Sequence, residues 1–410
     1  MDVQILPRKL SGSVTPPPSK SMTHRLLLAA ALSGGISMIQ NVAVSEDIEA
    51  TLRCMAAIGT GIEQAESTVL RIHGLGHSTP QAHSHGPILF DCGESGSTLR
   101  FLIPIALAVA GGGRFTGRGR LMERPQNPYL DLFAEKGIFS ELSGNILTIQ
   151  GRLAPGVYSL PGNVSSQFVT GLLYALPLLP GDSEIRMTTP LESRGYVDMT
   201  LDALQHFGIR AENQNYDIFR IPGNQTYTSQ DLSIESDWSQ AGFWYAANFL
   251  DNQVSIQGLN YQSTQGDMVI TRLYWTLAKP GNVAIDIADC PDLLPPLAVM
   301  ASLRQGTTRF INAARLRIKE SDRLTTTAAL VNALGGRAEE LPEELIIHGQ
   351  PVLSGGIVDG ANDHRIVMAA AIAASSCTAP VTILGAAAVN KSYPGFWDDY
   401  RHLGGDVHVL

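Results

Sequence analysis

The sequence predicts an α/β protein of two similar domains, each built from three copies of a βαβ-like unit of about 70 residues. Three observations lead there. Six short Ala/Leu-rich helices open beside small or acidic residues at Ser21, Ser97, Ser166, Ser239, Asp292 and Asp363, at intervals of 76, 69, 73, 53 and 71 residues. A second series of helical segments ends in glycines that lead into strands, at Gly59, Gly137, Gly208, Gly281, Gly335 and Gly404, at intervals of 78, 71, 73, 54 and 69. From each opening residue to its glycine the distance is 38, 40, 42, 42, 43 and 41 residues, so the two series stay in step even across the short interval.

Each unit reads in order as strand, small-residue turn, apolar helix, strands, amphipathic helix, glycine cap and strand. The first helices are apolar all round, as at residues 26–32 and 368–374, which predicts burial inside their domains. The second helices are mixed and should expose one face. Units of this length exceed the roughly 20 to 50 residues of common solenoid repeats, which favours two compact domains over an open array. The expected boundaries are 19–230 for the first domain, and 1–18 with 231–410 for the second. Pro16-Pro17-Pro18 and the polar stretch 223–230 supply the punctuation. A pseudo-symmetric pair of this kind should leave a cleft between its halves.

Composition narrows the function. Lys and Arg total 29 against 38 Asp and Glu, a net charge of −9, which argues against a broad nucleic-acid footprint. The longest apolar stretches, near 101–110 and 366–374, fall short of the roughly 18 to 20 residues that span a bilayer, so no membrane segment is expected. The N-terminus, Met1-Asp2-Val3-Gln4, has neither a basic nor an apolar export region, which places the expected location in the cytoplasm. Cys54, Cys92, Cys290 and Cys377 show no paired spacing and read as reduced thiols, with no zinc site. His73, His77, His83 and His85 crowd among Gly, Ser and Pro with no Cys or carboxylate at ligand spacing, and read as a solvated loop.

The scarce cations are placed with purpose. Lys20, Arg25, Arg100, Arg124, Lys319, Arg323, Arg365 and Lys391 collect near the predicted helix starts. The first turn of a helix offers free N–H groups and the positive end of its dipole, so repeated starts bearing cations suit an anionic ligand set. Two short glycine pairs, Gly59-Thr60-Gly61 and Gly117-Arg118-Gly119, complete neither a dinucleotide fingerprint nor a Walker string.

The element Ser19-Lys20-Ser21-Met22-Thr23-His24-Arg25 resembles the opening motif of the 3-phosphoshikimate 1-carboxyvinyltransferase (5-enolpyruvylshikimate-3-phosphate synthase) family. Further elements follow in family order: Gly93-Glu94-Ser95-Gly96-Ser97, Glu123-Arg124-Pro125, Ser165-Ser166-Gln167 and Ser193-Arg194-Gly195-Tyr196. The second half adds Gln265-Gly266-Asp267, Pro291-Asp292, Lys319-Glu320-Ser321-Asp322-Arg323, Asn362-Asp363-His364-Arg365 and Lys391-Ser392-Tyr393-Pro394. The resemblance implies the inside-out α/β barrel domains of the enolpyruvyl transferases, with helix N-termini directed at the cleft and the N-terminal strand in the second domain.

It also implies the reaction, a transfer of the enolpyruvyl group of phosphoenolpyruvate to the 5-hydroxyl of shikimate 3-phosphate with release of phosphate. This is a step of the shikimate pathway of aromatic amino acid biosynthesis, run without metal or cofactor by a monomer acting on small molecules. By resemblance, Lys20, Ser21, Arg25, Ser165, Ser166, Gln167, Ser193, Asp292 and Lys319 would bind shikimate 3-phosphate. Lys20, Gly96, Arg124, Gln167, Arg323, Arg365 and Lys391 would hold phosphoenolpyruvate. Lys20, Asp292 and Glu320 would be catalytic, Asp292 as base at the hydroxyl and Glu320 as the acid that protonates the methylene carbon; His364 would orient Glu320 or a phosphate.

Members with glycine at the position of Gly96 are typically inhibited by glyphosate. This chain departs from the common family pattern at Glu94, Ser97 and Arg315, and an acidic Glu94 near a phosphate would repel it unless Arg100 neutralised it or it pointed away. The nearest rival is the related enolpyruvyl transferase acting on UDP-N-acetylglucosamine. That family opens with a Lys-Asn pair and carries a Cys- or Asp-bearing loop, whereas Ser21 follows Lys20 here and residues 114–124 contain no Cys.

Overall fold

The structure is a computed structural model and describes residues 1–76 and 87–410. His77, His83 and His85 lie outside the described residues. His73 ends a strand, with its Nε2 3.3 Å from Glu63.

Among the described residues, twelve α-helices alternate between the two predicted series. The first series is α1 (Lys20–Leu32), α3 (Gly96–Ala110), α5 (Ser166–Ala175), α7 (Trp238–Phe249), α9 (Leu294–Leu303) and α11 (His364–Ala374). The second is α2 (Glu46–Ala57), α4 (Asn127–Glu135), α6 (Arg194–His206), α8 (Ile270–Leu277), α10 (Arg323–Ala333) and α12 (Phe396–His402). All six predicted terminal glycines have φ between +68° and +103°, the left-handed region a side chain would resist. The first helices are buried as expected, with 368–374 wholly inaccessible.

The units are mixed βαβ modules. Leu89–Asp91 runs parallel to Gly112–Thr116 across the crossover helix α3, and after α4 the hairpin of Phe139–Ser143 and Ile146–Gln150 adds two antiparallel strands. The hairpin's second strand lies against Gly112–Thr116, giving the sheet order first, second, fourth, third. One strand, rather than several, lies between the two helices of a module.

Four-stranded sheets of this kind occur five times among the described residues, and a two-stranded sheet occurs once. The short sheet pairs Ser11–Val14 with Gln253–Ile256. Its module has no hairpin, which is the physical origin of the single short interval in the sequence.

Two compact units emerge, residues 18–235 with three modules, and residues 1–17 with 236–410 holding the other three. Each closes by borrowing a strand from far along the chain. In the first, Leu232–Ser233 pairs parallel with Ile36–Gln40, which keeps 231–235 with that unit. In the second, Val3–Leu6 inserts antiparallel between Val381–Leu384 and Asp406–Val409. Each unit has its own apolar core. Among the described residues, no helix is long and apolar enough to cross a membrane.

Candidate active site

In the unit of residues 18–235, Ser19 caps α1 by accepting from the Met22 N–H at 3.3 Å, and Lys20 follows at the first helical position. The Lys20 ammonium pairs with Asp47 in the first turn of α2 at 2.7 Å. Arg25, one turn further on, is buried and donates to three acceptors: the Ser21 carbonyl at 2.7 Å, the Tyr196 carbonyl at 2.7 Å and Thr200 Oγ1 at 2.9 Å. Its planar fork thus ties α1 to α6. A guanidinium has five N–H groups, so the same arginine can also meet an anion.

A proline positions the next cation. Pro104 inside α3 has no N–H to give the Arg100 carbonyl four residues back. The Tyr129 hydroxyl of α4 fills the gap, 3.0 Å from that carbonyl and 2.8 Å from the carbonyl of Phe168. Gly171 on α5 permits this close packing, because a methyl there would collide with the Tyr129 hydroxyl and fall 2.5 Å from the Arg100 carbonyl. Arg100, seated so, donates to Gln167 Oε1 at 2.8 Å and stacks over Phe168. With its oxygen taken, the Gln167 amide nitrogen donates to Ser97 at 2.9 Å. Ser97 therefore orients Gln167.

Arg124 spreads over the start of α3. A methyl built on Gly96 would sit 2.7 Å from Arg124 Nη1 and 2.9 Å from Cζ, so only glycine leaves the guanidinium this close to the helix's first N–H groups. The Glu94 carboxylate turns toward the 117–120 turn, where a methyl on Gly119 would fall 2.7 Å from Oε2. Ser165 caps α5 by accepting from the Gln167 N–H at 3.3 Å, and Ser166 is buried in its first turn. Ser193 precedes α6 in the left-handed region, φ 57°, and caps nothing with its side chain.

In the unit containing 236–410, the sequence candidates converge on Arg323, which is 1% exposed in its side chain. Its Nη1 donates to Asp292 at 2.7 Å, its Nη2 to Glu320 at 2.7 Å and its Nε to Asp363 at 2.8 Å. Arg365 takes the other Asp292 oxygen at 2.8 Å and also reaches Ser239 Oγ at 3.1 Å. Asp292, one of the six helix-opening positions, lies within a 3-10 turn, Pro291–Leu293, just before α9, with its carboxylate on two arginines. Burial alone would raise that carboxyl, but Arg365, Lys319 and Arg323 together hold it well below the usual carboxylate range.

Burial brings the Lys319 ammonium down to about 7, with Asp292 opposing the shift and Arg315 and Arg323 adding to it. Arg315 donates to the Ala288 carbonyl at 2.6 Å, so this departure from the family pattern is anchored to backbone. Lys391 donates to the Asn362 carbonyl at 2.7 Å, beside Asp363, and His364 is buried next to it.

The cations are less uniformly placed than the sequence suggested. Lys20, Arg25, Arg100 and Arg365 lie in first helices, whereas Arg124 precedes α4, Lys319 follows the 3-10 segment Ala314–Ile318, Arg323 opens α10, and Lys391 ends a 3-10 segment before α12. Two residues have ion-pair roles that the sequence does not signal. Asp47 holds Lys20, and its only local signal is the acidic opening Ser45-Glu46-Asp47 of α2. Asp363 was read as a helix opener; it does cap α11 through the Arg365 N–H at 3.0 Å, but it also holds Arg323.

Residues 6–400 match the family described as EPSP synthase (3-phosphoshikimate 1-carboxyvinyltransferase). Among curated relatives, proteins named 3-phosphoshikimate 1-carboxyvinyltransferase from Clostridium novyi and Clostridium kluyveri are 44% and 47% identical, each alignment covering 99% of this chain and 98% of the relative. Among solved structures, EPSP synthase from Acinetobacter baumannii superposes with a TM-score of 0.81 over 100% of both chains at 22% identity. The enolpyruvyl transferase NikO from Streptomyces tendae gives 0.78 at 17% identity, over 99% of this chain and 98% of that one. These two likenesses establish a shared fold.

Proposed function

The chain belongs to the EPSP synthase family and transfers the enolpyruvyl group of phosphoenolpyruvate to shikimate 3-phosphate, and from that premise we propose which of its residues carry the reaction. Addition requires a proton on the methylene carbon of phosphoenolpyruvate and removal of one from the 5-hydroxyl, joining oxygen to the central carbon. Elimination then takes a proton from the new methyl group as phosphate leaves. The machinery must therefore hold two phosphates and two carboxylates through three proton transfers, two in the addition and one in the elimination.

The observation that carries the assignment is Asp292 held between Arg323 and Arg365. Both arginines are assigned to phosphoenolpyruvate, and both spend a donor on the assigned base. While they do so, Asp292 is ionised but a weak base. As an anionic substrate engages the two guanidinium groups, their pull on Asp292 weakens and its affinity for the hydroxyl proton rises. Glu320, on the third face of Arg323, delivers the proton to the methylene carbon. Lys319, with its lowered affinity for protons, sits beside Asp292 to contact shikimate 3-phosphate.

From the other unit, Lys20, Gly96, Arg124 and Gln167 hold phosphoenolpyruvate, and Lys20, Ser21, Arg25, Ser165, Ser166, Gln167 and Ser193 hold shikimate 3-phosphate. Lys20 meets both substrates and shares in catalysis. Hydroxyls and helix N–H groups suit phosphate, while the arginine forks suit planar carboxylates. The UDP-N-acetylglucosamine reaction is not favoured by the family match.

Gly96 tests the assignment. Gly96→Ala should leave the fold intact, because the obstructing atoms at 2.7 to 3.0 Å are the far end of a flexible arginine. The displaced Arg124 should raise the phosphoenolpyruvate Michaelis constant about tenfold, within the usual cost of overpacking, and raise the glyphosate inhibition constant further. The constant for shikimate 3-phosphate should stay within about twofold. An unchanged phosphoenolpyruvate constant would remove the start of α3 from the site.

A further inference from the structure

A buried chain of side-chain hydrogen bonds crosses three helices of the 18–235 unit and ends beside Gly96. His24 on α1 contacts Thr51 on α2, Nδ1 to Oγ1, at 2.8 Å. Thr51 contacts Thr98 on α3 at 2.7 Å, and Thr98 donates its hydroxyl hydrogen to Ser95 Oγ at 2.7 Å. Ser95 is the N-cap of α3, and its oxygen also accepts the Thr98 N–H at 3.2 Å. All four residues are at most 1% exposed.

Counting hydrogens gives the chain one direction. Thr98 has spent its hydrogen on Ser95, so the contact with Thr51 is Thr51 donating. Thr51 has then spent its own, since its other acceptor, the Asp47 carbonyl, is a distant 3.4 Å away. The remaining contact must be His24 donating from Nδ1, which leaves the lone pair on Nε2. That nitrogen is buried and meets no hydrogen-bond partner among the described residues. A second proton there would be unsolvated, and burial followed by the charges of Lys20 and Arg25 lowers the ring well below its ordinary value.

We propose that His24 is a positioning residue for phosphoenolpyruvate: its Nδ1–H starts a one-way chain through Thr51 and Thr98 that fixes the Ser95 cap, and with it the Gly96 backbone beneath Arg124. The proposal rests on the reading of the α3 start as part of the phosphoenolpyruvate site. Neutral His24 supplies no proton to the reaction. It acts by fixing the rotamer that lets α3 present its first N–H groups at one pitch.

Steady-state constants for His24→Leu, His24→Asn and Thr51→Val test it. His24→Leu should raise the phosphoenolpyruvate Michaelis constant roughly five- to tenfold, the worth of about one hydrogen bond, with turnover and the shikimate 3-phosphate constant within about twofold. His24→Asn, whose amide nitrogen falls near Nδ1, should return within about twofold of the parent. Thr51→Val should match His24→Leu, and the double variant should be no worse than either alone. Equal effects of Leu and Asn, additive losses, or an equal rise in both Michaelis constants would overturn the proposal.

If the variants fail to fold, nitrogen-15 spectra of the ring-labelled parent decide. The expected signature is a neutral His24 protonated on Nδ1 at pH 6, and an Nε2–H tautomer or titration near the ordinary value refutes the chain. Gly96→Ala assayed alongside separates the two ideas. A silent Gly96→Ala means that the α3 start is misassigned, whereas a responsive one beside a silent His24→Leu means that the chain positions nothing.

Discussion

Asp292→Asn should lower turnover by about 10²- to 10⁴-fold, the usual worth of a positioned general base, and Glu320→Gln should lower it by a similar factor. Asparagine keeps the shape of the aspartate and one oxygen for an arginine, but has no negative charge with which to accept the hydroxyl proton. Arg323 would still be held by Glu320 and Asp363, so the loss belongs to chemistry rather than folding. Binding of shikimate 3-phosphate, measured directly by calorimetry, should survive Glu320→Gln, because Glu320 is assigned to the methylene carbon alone. Near-normal turnover in either variant removes that residue from its role.

The largest effect on stability should come from Asp363→Ala. Asp363 is wholly buried and accepts from Arg323 at 2.8 Å, from the Ser321 hydroxyl at 2.9 Å and from the Arg365 N–H at 3.0 Å. Its removal weakens a helix cap and deprives a buried guanidinium of one of its carboxylates, an expected cost of about 3 to 5 kcal/mol. Urea unfolding followed by tryptophan fluorescence suits the question, since Trp238, Trp244, Trp275 and Trp397 all belong to the unit concerned.

The effect has a pH signature. Burial would raise the Asp363 carboxyl, but Arg323 and then His364 lower it below its ordinary value in the folded protein. A carboxyl depressed on folding contributes stability above its unfolded value, near 4, and loses that contribution as pH falls through the folded one. The gap between parent and variant should therefore be full at pH 7 and narrow only in acid. A gap that widened in acid, or a cost under about 1 kcal/mol at pH 7, would contradict the role given to this pair.

What the sequence made legible was local. Gly59, Gly137 and their counterparts announce helix ends because a left-handed residue is a property of one position; Asp363 announces a helix start for the same reason, and Ser21 and Ser97 mark starts whose caps are Ser19 and Ser95, two residues earlier. The missing hairpin of the fourth module left a trace only as a short interval, since absent strands carry no motif. Strand insertion of Val3–Leu6 beside Val381–Leu384 has no local signal at all, as its hydrogen bonds are made with residues hundreds of positions away.

The same division holds in the site. Lys20, Arg124, Arg323 and Arg365 stood out because cations are scarce in this chain. Their partners did not: Asp47 is one of many carboxylates, and whether it meets Lys20 depends on how α1 packs on α2. His24 has no assigned part in the motif Ser19–Arg25, because its partners Thr51 and Thr98 come to it from other helices.

Phosphate release by the purified protein, followed with each substrate alone, with both, and with phosphoenolpyruvate plus UDP-N-acetylglucosamine, tests the central claim most directly. Release should require phosphoenolpyruvate and shikimate 3-phosphate together, and a chelator should leave the rate unchanged. Release with UDP-N-acetylglucosamine as acceptor, or none with both proper substrates present, would contradict it.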